Sequence, residues 1–435
     1  MKMKRDNVLV IGLGYVGLTL SSILAKESFT VYGLDLDNSI ISSVKNGKAH
    51  FYEKDIDSLI SRIINKNLFV SSKIKDFELI NFSTIIITVG TPLKENNEPN
   101  YDYLTSALRD IAQVYDGKQL IILRSTVSVG TTNKIVIPHL KEILNDSSSK
   151  IMVSFCPERT IEGKALSELV ELPQIISGNN KESLQKSRSF FSKFNKNIIE
   201  VESLEAAELI KLFNNTYRDV NFAVGNIFNE IAQHFGINGL ELIQAANKDY
   251  QRSSIAMPGL VGGPCLEKDP YILSHGFQEI EEFKFIVQAR RFNESLEHKI
   301  IKWVKSNYKT GSNILVSGMA FKGRPETSDL RGSSSVSICE KLNKEGYKLV
   351  LHDFTVPYKD LKKLNLGNVA LDFKQELEKN NIILILTNHY SYEKINLSNW
   401  LIENSNIDFK MLDVWNNFNI RSDKRVNNLG EYVIK

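Results

Sequence analysis

Of three cysteines, Cys156, Cys265 and Cys339, one stands in a loop built for access. The run Gly262-Gly263-Pro264-Cys265-Leu266-Glu267-Lys268-Asp269-Pro270 flanks a thiol with glycines and prolines, which make a rigid, open turn where a ligand can approach backbone. A thiol becomes a strong nucleophile where electropositive neighbours favour its thiolate. Asp269 comes four residues later, within reach if the segment opens a helix. Taken alone, the loop fits either a covalent nucleophile with an acid–base partner or a buried structural Cys beside an N-cap Asp.

Lys211 and Asn215 form a second pair. They are four residues apart in Leu209-Ile210-Lys211-Leu212-Phe213-Asn214-Asn215, so on a helix they share a face. An ammonium and a carboxamide side by side can hold a developing alkoxide or oxyanion. The alternative is a solvated Lys above a surface Asn. Further polar groups follow apolar runs: Thr91-Pro92, Ser125-Thr126 and Pro157-Glu158-Arg159, where α/β sheets place their ligands. Cys156 and Cys339 read as packed thiols.

A third constellation opens the chain. Val8-Leu9-Val10-Ile11 runs into Gly12-Leu13-Gly14-Tyr15-Val16-Gly17, a strand entering GxGxxG. Gly12 permits the tight turn, Gly14 admits a pyrophosphate, Gly17 lets helix and strand approach, and the helix N-terminus beyond Tyr15 and Val16 offers free N–H groups to phosphate. Asp35 falls where an acid binds both ribose hydroxyls, and a carboxylate there repels a 2′-phosphate. NAD is expected, with FAD the competing dinucleotide.

The elements that must hold these groups follow from periodicity. Val8–Ile11, Thr30–Leu34, Thr84–Val89, Leu120–Leu123 and Ile151–Ser154 read as buried parallel strands with helices such as Val16–Ser28 between them. That pattern means a doubly wound α/β domain ending near Glu200. From Ser203, an N-cap, the pattern turns helical to about Phe235 before Gly236. Helical segments continue over Gly239–Ala246 and Asp269–Asn307. After Gly311 strands return at Asn313–Ser317, Tyr347–His352, Ile382–Thr387 and Phe409–Val414. Asn313-Ile314-Leu315-Val316-Ser317-Gly318 echoes Asn7-Val8-Leu9-Val10-Ile11-Gly12. The fold class is therefore α/β: two Rossmann-like doubly wound domains joined by a long central helical region. The expected domains are 1–202 for NAD, 203–308 for the helical centre and a natural dimer surface, and 309–435 for a second nucleotide-binding-like domain.

The totals exclude several classes. A chain of 435 residues exceeds one ordinary core. Hydrophobic residues at 42% and charged residues at 24% are globular values. A net charge of +3 gives no reason to invoke nucleic acid. The longest aliphatic runs are strand-sized, short of a membrane span, and seven scattered histidines without HxH, HExxH or CxxC spacing predict no metal site. Met1 to Asn7 is short and polar with no secretory h-region, and odd, widely spaced cysteines fit a reducing compartment, so a cytoplasmic location is expected.

Together, these residues resemble the UDP-glucose/GDP-mannose dehydrogenase family over essentially the whole chain. The motifs come in order: GxGxxG, TP, STV, PE, KxxxN, GGxCxxKD and a C-terminal FKG…R. The resemblance implies NAD-dependent oxidation of a sugar CH₂OH to a carboxylate for surface polysaccharide. It casts Cys265 as the nucleophile toward a C6 aldehyde, Lys211 and Asn215 as the oxyanion pair, and Asp269, Thr126 and Glu158 as the groups that assist water or proton transfer. It puts Gly12, Gly14, Tyr15, Val16, Gly17, Asp35, Thr91, Thr126 and Arg331 at the cofactor. It puts Glu158, Lys211, Asn215, Gly262 and Lys322 at the substrate, and has Arg252 reach a partner subunit's sugar in a homodimer.

Asn215-Thr216-Tyr217-Arg218-Asp219-Val220-Asn221 and Pro157-Glu158-Arg159-Thr160 look like relatives acting on UDP-N-acetylhexosamines. Pro264 stands where those relatives commonly have His, and Asp413-Val414-Trp415-Asn416-Asn417 stands where an arginine is usual. UDP-N-acetylmannosamine or UDP-N-acetylglucosamine is expected, ahead of UDP-glucose. Two other readings are a β-hydroxyacid dehydrogenase making one hydride transfer, and a non-enzymatic nucleotide-sensing protein. The first needs neither Cys265 nor the C-terminal domain. The second has no use for a nucleophile.

Overall fold

The computed structural model describes residues 6–27, 29–144, 151–252, 254–275, 277, 279–420 and 423–431. Ser28, the expected end of the first helix, and Met1–Arg5 of the polar N-terminus lie outside the described residues. The chain divides into two compact units: Met1–Asn214 with Tyr271–His275, and Asn215–Pro270 with Gly276–Lys435.

The first unit is built on six parallel strands. They are β1 (Asp6–Ile11), β2 (Phe29–Leu34), β3 (Leu68–Ser71), β4 (Thr84–Ile87), β5 (Leu120–Leu123) and β6 (Met152–Phe155), in the order β3-β2-β1-β4-β5-β6. Strand order therefore reverses between β1 and β4, whose register pairs Val8 with Thr84 and Ile11 with Ile87. A doubly wound sheet opens its ligand crevice at that reversal, beyond the carboxyl ends of the strands. Alternation along β1 sends Val8 and Val10 into one core with Leu18, Leu20 and Leu24, and Leu9 and Ile11 into the other with Ile85, Ile87 and Ile121. Both faces are dry, which is why these strands read as continuous apolar runs. A short parallel pair, β7 (Gln174–Ile176) with β8 (Ile198–Glu200), completes the strands of this unit.

The second unit repeats the plan. Strands β9 (Asn313–Ser317), β10 (Lys348–His352), β11 (Asn368–Val369), β12 (Ile382–Ile385), β13 (Lys410–Asp413) and β14 (Val426–Asn428) lie in the order β11-β10-β9-β12-β13-β14. Its core gathers Ile314, Val316, Ile382, Leu384 and Leu412 with Leu296, Ile300, Trp303 and Val304 of the helix Lys284–Asn307.

The central helix runs from Leu204 to His234, and Gly236 beyond it takes a φ of +71°, the left-handed value that a glycine adopts freely. A helix follows at Gly239–Asn247, capped by the Asn238 side chain on Leu240 and Glu241 amides. The segment expected to be helical over Asp269–Asn307 is instead broken. A short helix, Asp269–Ser274, is separated from Lys284–Asn307 by a turn at Glu281–Phe283. Gly276 in the intervening sequence is a poor helix former, at a cost of about 1 kcal/mol against Ala. Several strand limits also differ by one or two residues: Thr84–Val89 ends at Ile87, and Phe409–Val414 is Lys410–Asp413.

Candidate active site

At the carboxyl end of β1 the backbone turns sharply. Gly12 has a φ of +92°, its amide donates to Leu34 O at 2.8 Å, and the Thr88 hydroxyl donates to Gly12 O at 2.7 Å. A Cβ on Gly17 would stand 1.8 Å from Gly12 O, whereas one on Gly14 would meet nothing within 4 Å. The third glycine is thus a packing requirement, and the second faces open space at the amino end of the helix Tyr15–Lys26. The Leu13 amide donates to Asp35 Oδ2 at 2.7 Å and the Asp37 amide to Asp35 Oδ1 at 2.9 Å. Asp35 is only partly buried, and each carboxylate oxygen keeps a lone pair for a ribose hydroxyl. This cradle fits a dinucleotide without a 2′-phosphate. Val16 is partly exposed, whereas Tyr15 is buried. The Tyr15 hydroxyl donates to Glu53 and accepts the Gly163 amide at 3.1 Å, and burial beside that carboxylate raises its pKa.

Thr91 and Thr126 meet after β4 and β5. The Thr91 hydroxyl donates to Thr126 O, and the Ser125 hydroxyl to Val89 O at 2.6 Å. The loop beyond Thr126 is tied to the central helix by Glu208, a fully buried carboxylate that accepts the Thr132 amide at 2.9 Å and hydroxyl at 2.6 Å. Burial raises the Glu208 pKa against those hydrogen bonds. One turn further, Lys211 is buried, and its Nζ lies 3.8 Å from Glu158 Oε2. It is no solvated surface lysine. Glu158 also accepts the Thr160 amide, and the buried Arg124, whose Nη1 donates to Gln174 Oε1 at 3.0 Å, lies close enough to feel its charge.

In the second unit the Asn215 amide donates to Asp269 Oδ2 at 2.6 Å, and Lys268 Nζ donates to Asp269 Oδ1 at 3.0 Å. Asp269 is fully buried and opens the helix Asp269–Ser274, and its own amide donates back to Cys265 O at 2.9 Å. Cys265 is partly exposed, while Cys156 and Cys339 are sealed in the cores. Burial pushes the Cys156 thiol up to about 12 and raises Cys339 as well, which keeps both protonated and unreactive. The loop around Cys265 depends on Gly263, whose φ is +96° and whose amide donates to Gly332 O at 2.7 Å. A Cβ there would strike the Phe321 ring at 2.4 Å, and one on Gly262 would strike Gly332 O at 2.4 Å.

Two of the remaining expected residues neighbour the segments that pack on Gly263: Lys322 follows Phe321, and Arg331 precedes Gly332. Lys322 is half-buried, with its Nζ 5.4 Å from the centre of the Phe321 ring. Arg331 is largely exposed and forks onto both oxygens of Asp329, with Nε at 3.0 and 2.9 Å. Arg252 is exposed in a loop whose base is pinned by Asn247, which pairs twice with the Ile255 backbone at 2.8 Å. The segment Asp413–Asn417 is a closed turn. Asp413 accepts the Phe418 amide at 3.0 Å and the Asn417 side chain at 2.8 Å, and Trp415 Nε1 donates to Leu386 O at 2.9 Å.

Lys268, Glu208 and Arg124 were not singled out by sequence. Lys268 had a signal, being the charge between a candidate nucleophile and its acid. Among the described residues, no group of three or more His, Cys, Asp or Glu side chains could hold a metal ion, and no helix is long and apolar enough to cross a membrane.

A dinucleotide cradle at one switch point, a second doubly wound domain and a partly exposed cysteine four residues before a buried aspartate held by Asn215 and Lys268 are the parts of a dehydrogenase. The chain belongs to the UDP-glucose/GDP-mannose dehydrogenase family. It matches the family's NAD binding domain over residues 6–195, its central domain over 205–295 and its UDP binding domain over 315–416. It is an NAD-dependent nucleotide-sugar dehydrogenase that oxidises C6 of a UDP-sugar. A UDP-N-acetyl-D-mannosamine dehydrogenase of Campylobacter jejuni is 32% identical over 90% of this chain and 97% of its own. Its counterpart from Methanocaldococcus jannaschii is 33% identical over 89% and 86%. The solved UDP-D-ManNAc dehydrogenase of Pyrococcus horikoshii superimposes with a TM-score of 0.85 at 29% identity, covering 98% of this chain and 99% of that one.

Proposed function

We propose that the substrate is a UDP-N-acetylhexosamine, with UDP-N-acetyl-D-mannosamine first and UDP-N-acetylglucosamine second, and that its C6 hydroxymethyl is taken to the carboxylate for surface polysaccharide. The names of the relatives and the PERT and NTYRDVN segments support that order ahead of UDP-glucose. One observation carries the chemistry: the partly exposed Cys265 precedes a fully buried Asp269 held by Asn215 and Lys268.

Gly12, Gly14, Gly17, Asp35 and the Thr91–Thr126 pair would hold NAD, which would supply the hydride acceptor for two successive oxidations. The residues of the chain do the rest. After the alcohol has lost a proton and a hydride, Cys265 Sγ attacks the C6 aldehyde, forming a C–S bond. The adduct is a far better hydride donor than the aldehyde. Loss of hydride and the hydroxyl proton leaves a thioester. Water then adds at carbon, the C–S bond breaks, the thiol regains a proton and the acid departs. Each step puts negative charge on the same oxygen, where Lys211 and Asn215 donate. Asp269, Thr126 and Glu158 steer water and protons.

Lys322 and Gly262 serve the nucleotide sugar, and Arg331 the cofactor. The three-part division at 1–202, 203–308 and 309–435 matches these tasks. A homodimer is part of the proposal. Tyr217, Phe228 and Ile231 on the central helix, with Phe235 just past its end, make an exposed apolar stripe, which a second copy would cover, and Arg252 would reach the partner's sugar. The protein would act in the cytoplasm.

The test supplies a panel of UDP- and GDP-sugars and counts NADH against acid formed, with Cys265→Ala alongside. Two NADH per sugar, best rates with UDP-N-acetylmannosamine and no acid from Cys265→Ala are expected. One NADH per sugar with an active Cys265→Ala would overturn the covalent route.

A further inference from the structure

One buried cation in the second unit has no part in the chemistry above. Arg290, on the helix Lys284–Asn307, has a side chain only 2% exposed. Its Nη2 donates to Val261 O at 2.8 Å and its Nη1 to Leu266 O at 3.3 Å. The same Nη1 donates to Asp219 Oδ1 on the central helix at 2.6 Å. Glu294 lies 3.3 Å from Nε. The guanidinium therefore spans the mouth of the Cys265 loop, taking one carbonyl before Gly262-Gly263 and another immediately after the thiol-bearing residue.

The supports on either side are rigid. Asn293 donates to both Asp219 O at 2.9 Å and Asp219 Oδ1 at 3.0 Å. Asn226 pairs with Gly259 in both directions at 3.2 and 2.9 Å, and with Asn293 at 2.9 Å. The loop between Gly259 and Leu266 is thus strung across two helices by side chains that are themselves buried. The rigidity expected of this turn comes from these ties rather than from its own residues, since two adjacent glycines have wide conformational freedom, and the shape at Cys265 is imposed from outside.

We propose that Arg290 is a positioning residue for the nucleophile: by bridging the Val261 and Leu266 carbonyls it sets where Cys265 Sγ stands. This rests on the reading of Cys265 as nucleophile. A planar guanidinium can reach two carbonyls and a carboxylate at once, whereas an ammonium is a point donor. Arg290→Lys therefore keeps a cation for Asp219 and loses the bridge.

The experiment measures thermal melting, kcat, the KM for NAD and the rate of Cys265 alkylation by iodoacetamide in Arg290→Lys and Arg290→Ala, with Cys265→Ala in parallel. A displaced nucleophile loses about a hundredfold in rate. The expected result is that loss in kcat for acid formation, with an unchanged KM for NAD, altered Cys265 alkylation and partial rescue of Arg290→Ala by added guanidinium. A folded Arg290→Lys with parental kcat and alkylation overturns the proposal. So does failure of both Arg290 variants to fold, which assigns the residue to stability alone. Acid production by Cys265→Ala marks instead the failure of the underlying reading.

Discussion

Replacing Lys211 by Met removes a cation from a nearly dry place. The Lys211 and Glu158 side chains are 8% and 10% exposed, with Nζ 3.8 Å from Oε2. At an effective dielectric of about 20, charges at this separation attract by roughly 4 kcal/mol. Breaking a buried pair by deleting one partner costs about 3–5 kcal/mol because the other charge is stranded. Arg124 also acts on Glu158, so the loss of fold stability should fall near the lower end, about 3 kcal/mol. Catalysis should fall separately. Loss of one oxyanion donor costs about 3–4 kcal/mol, or roughly 10²- to 10³-fold in kcat. Adding Glu158→Gln distinguishes the two effects, since it removes the stranded charge and should restore much of the stability while leaving the rate low. Urea unfolding reads the first and NADH absorbance under saturating substrate reads the second. If Lys211→Met makes acid within a few-fold of the parent rate, the lysine holds no developing oxyanion and its assigned role fails.

Two further expectations use other parts of the molecule. Gly14→Ala should melt like the parent yet bind NAD at least about tenfold more weakly, because its methyl meets no protein atom within 4 Å and intrudes only on the pyrophosphate. Gly17→Ala should lose stability as well, since its methyl would collide with Gly12 O at 1.8 Å; calorimetry of both variants decides, and undiminished NAD binding by Gly14→Ala refutes the cradle. The buried His352, bonded to Ser317 at 2.9 Å, is held neutral, with burial lowering its pKa to about 4. Its folded value lies below the unfolded one, so its contribution is complete above about pH 6.5 and is lost as pH falls toward 4, about 3 kcal/mol in all. His352→Asn should flatten the fall in urea stability between pH 7 and 4.5, and an unchanged slope would refute the assignment.

Local chemistry made much of this protein legible in its residues. GxGxxG after an apolar strand reads as a phosphate turn because only glycine tolerates the φ of Gly12 and the contact of Gly17. Lys211 and Asn215 share a face because a helix repeats every 3.6 residues. The shortest strands, such as β7 and β11, were missed, since three residues or fewer carry too little periodicity to be told from a loop. The break after Ser274 went unseen for a related reason: helical composition continues on both sides of it.

What the residues alone determined was the sequence of doubly wound, helical and doubly wound segments, the cofactor turn and the identity of the one thiol in an open loop. Those depend on backbone sterics and nearest-neighbour spacing, which one-dimensional order contains. Only the tertiary structure decided that Lys211 is buried on Glu158, that Asp269 accepts the Asn215 side chain, and that Arg290 bridges the Cys265 loop. Each of these joins residues far apart in the chain. Burial and hydrogen bonding, which set a charged group's reactivity, come from what packing brings around it.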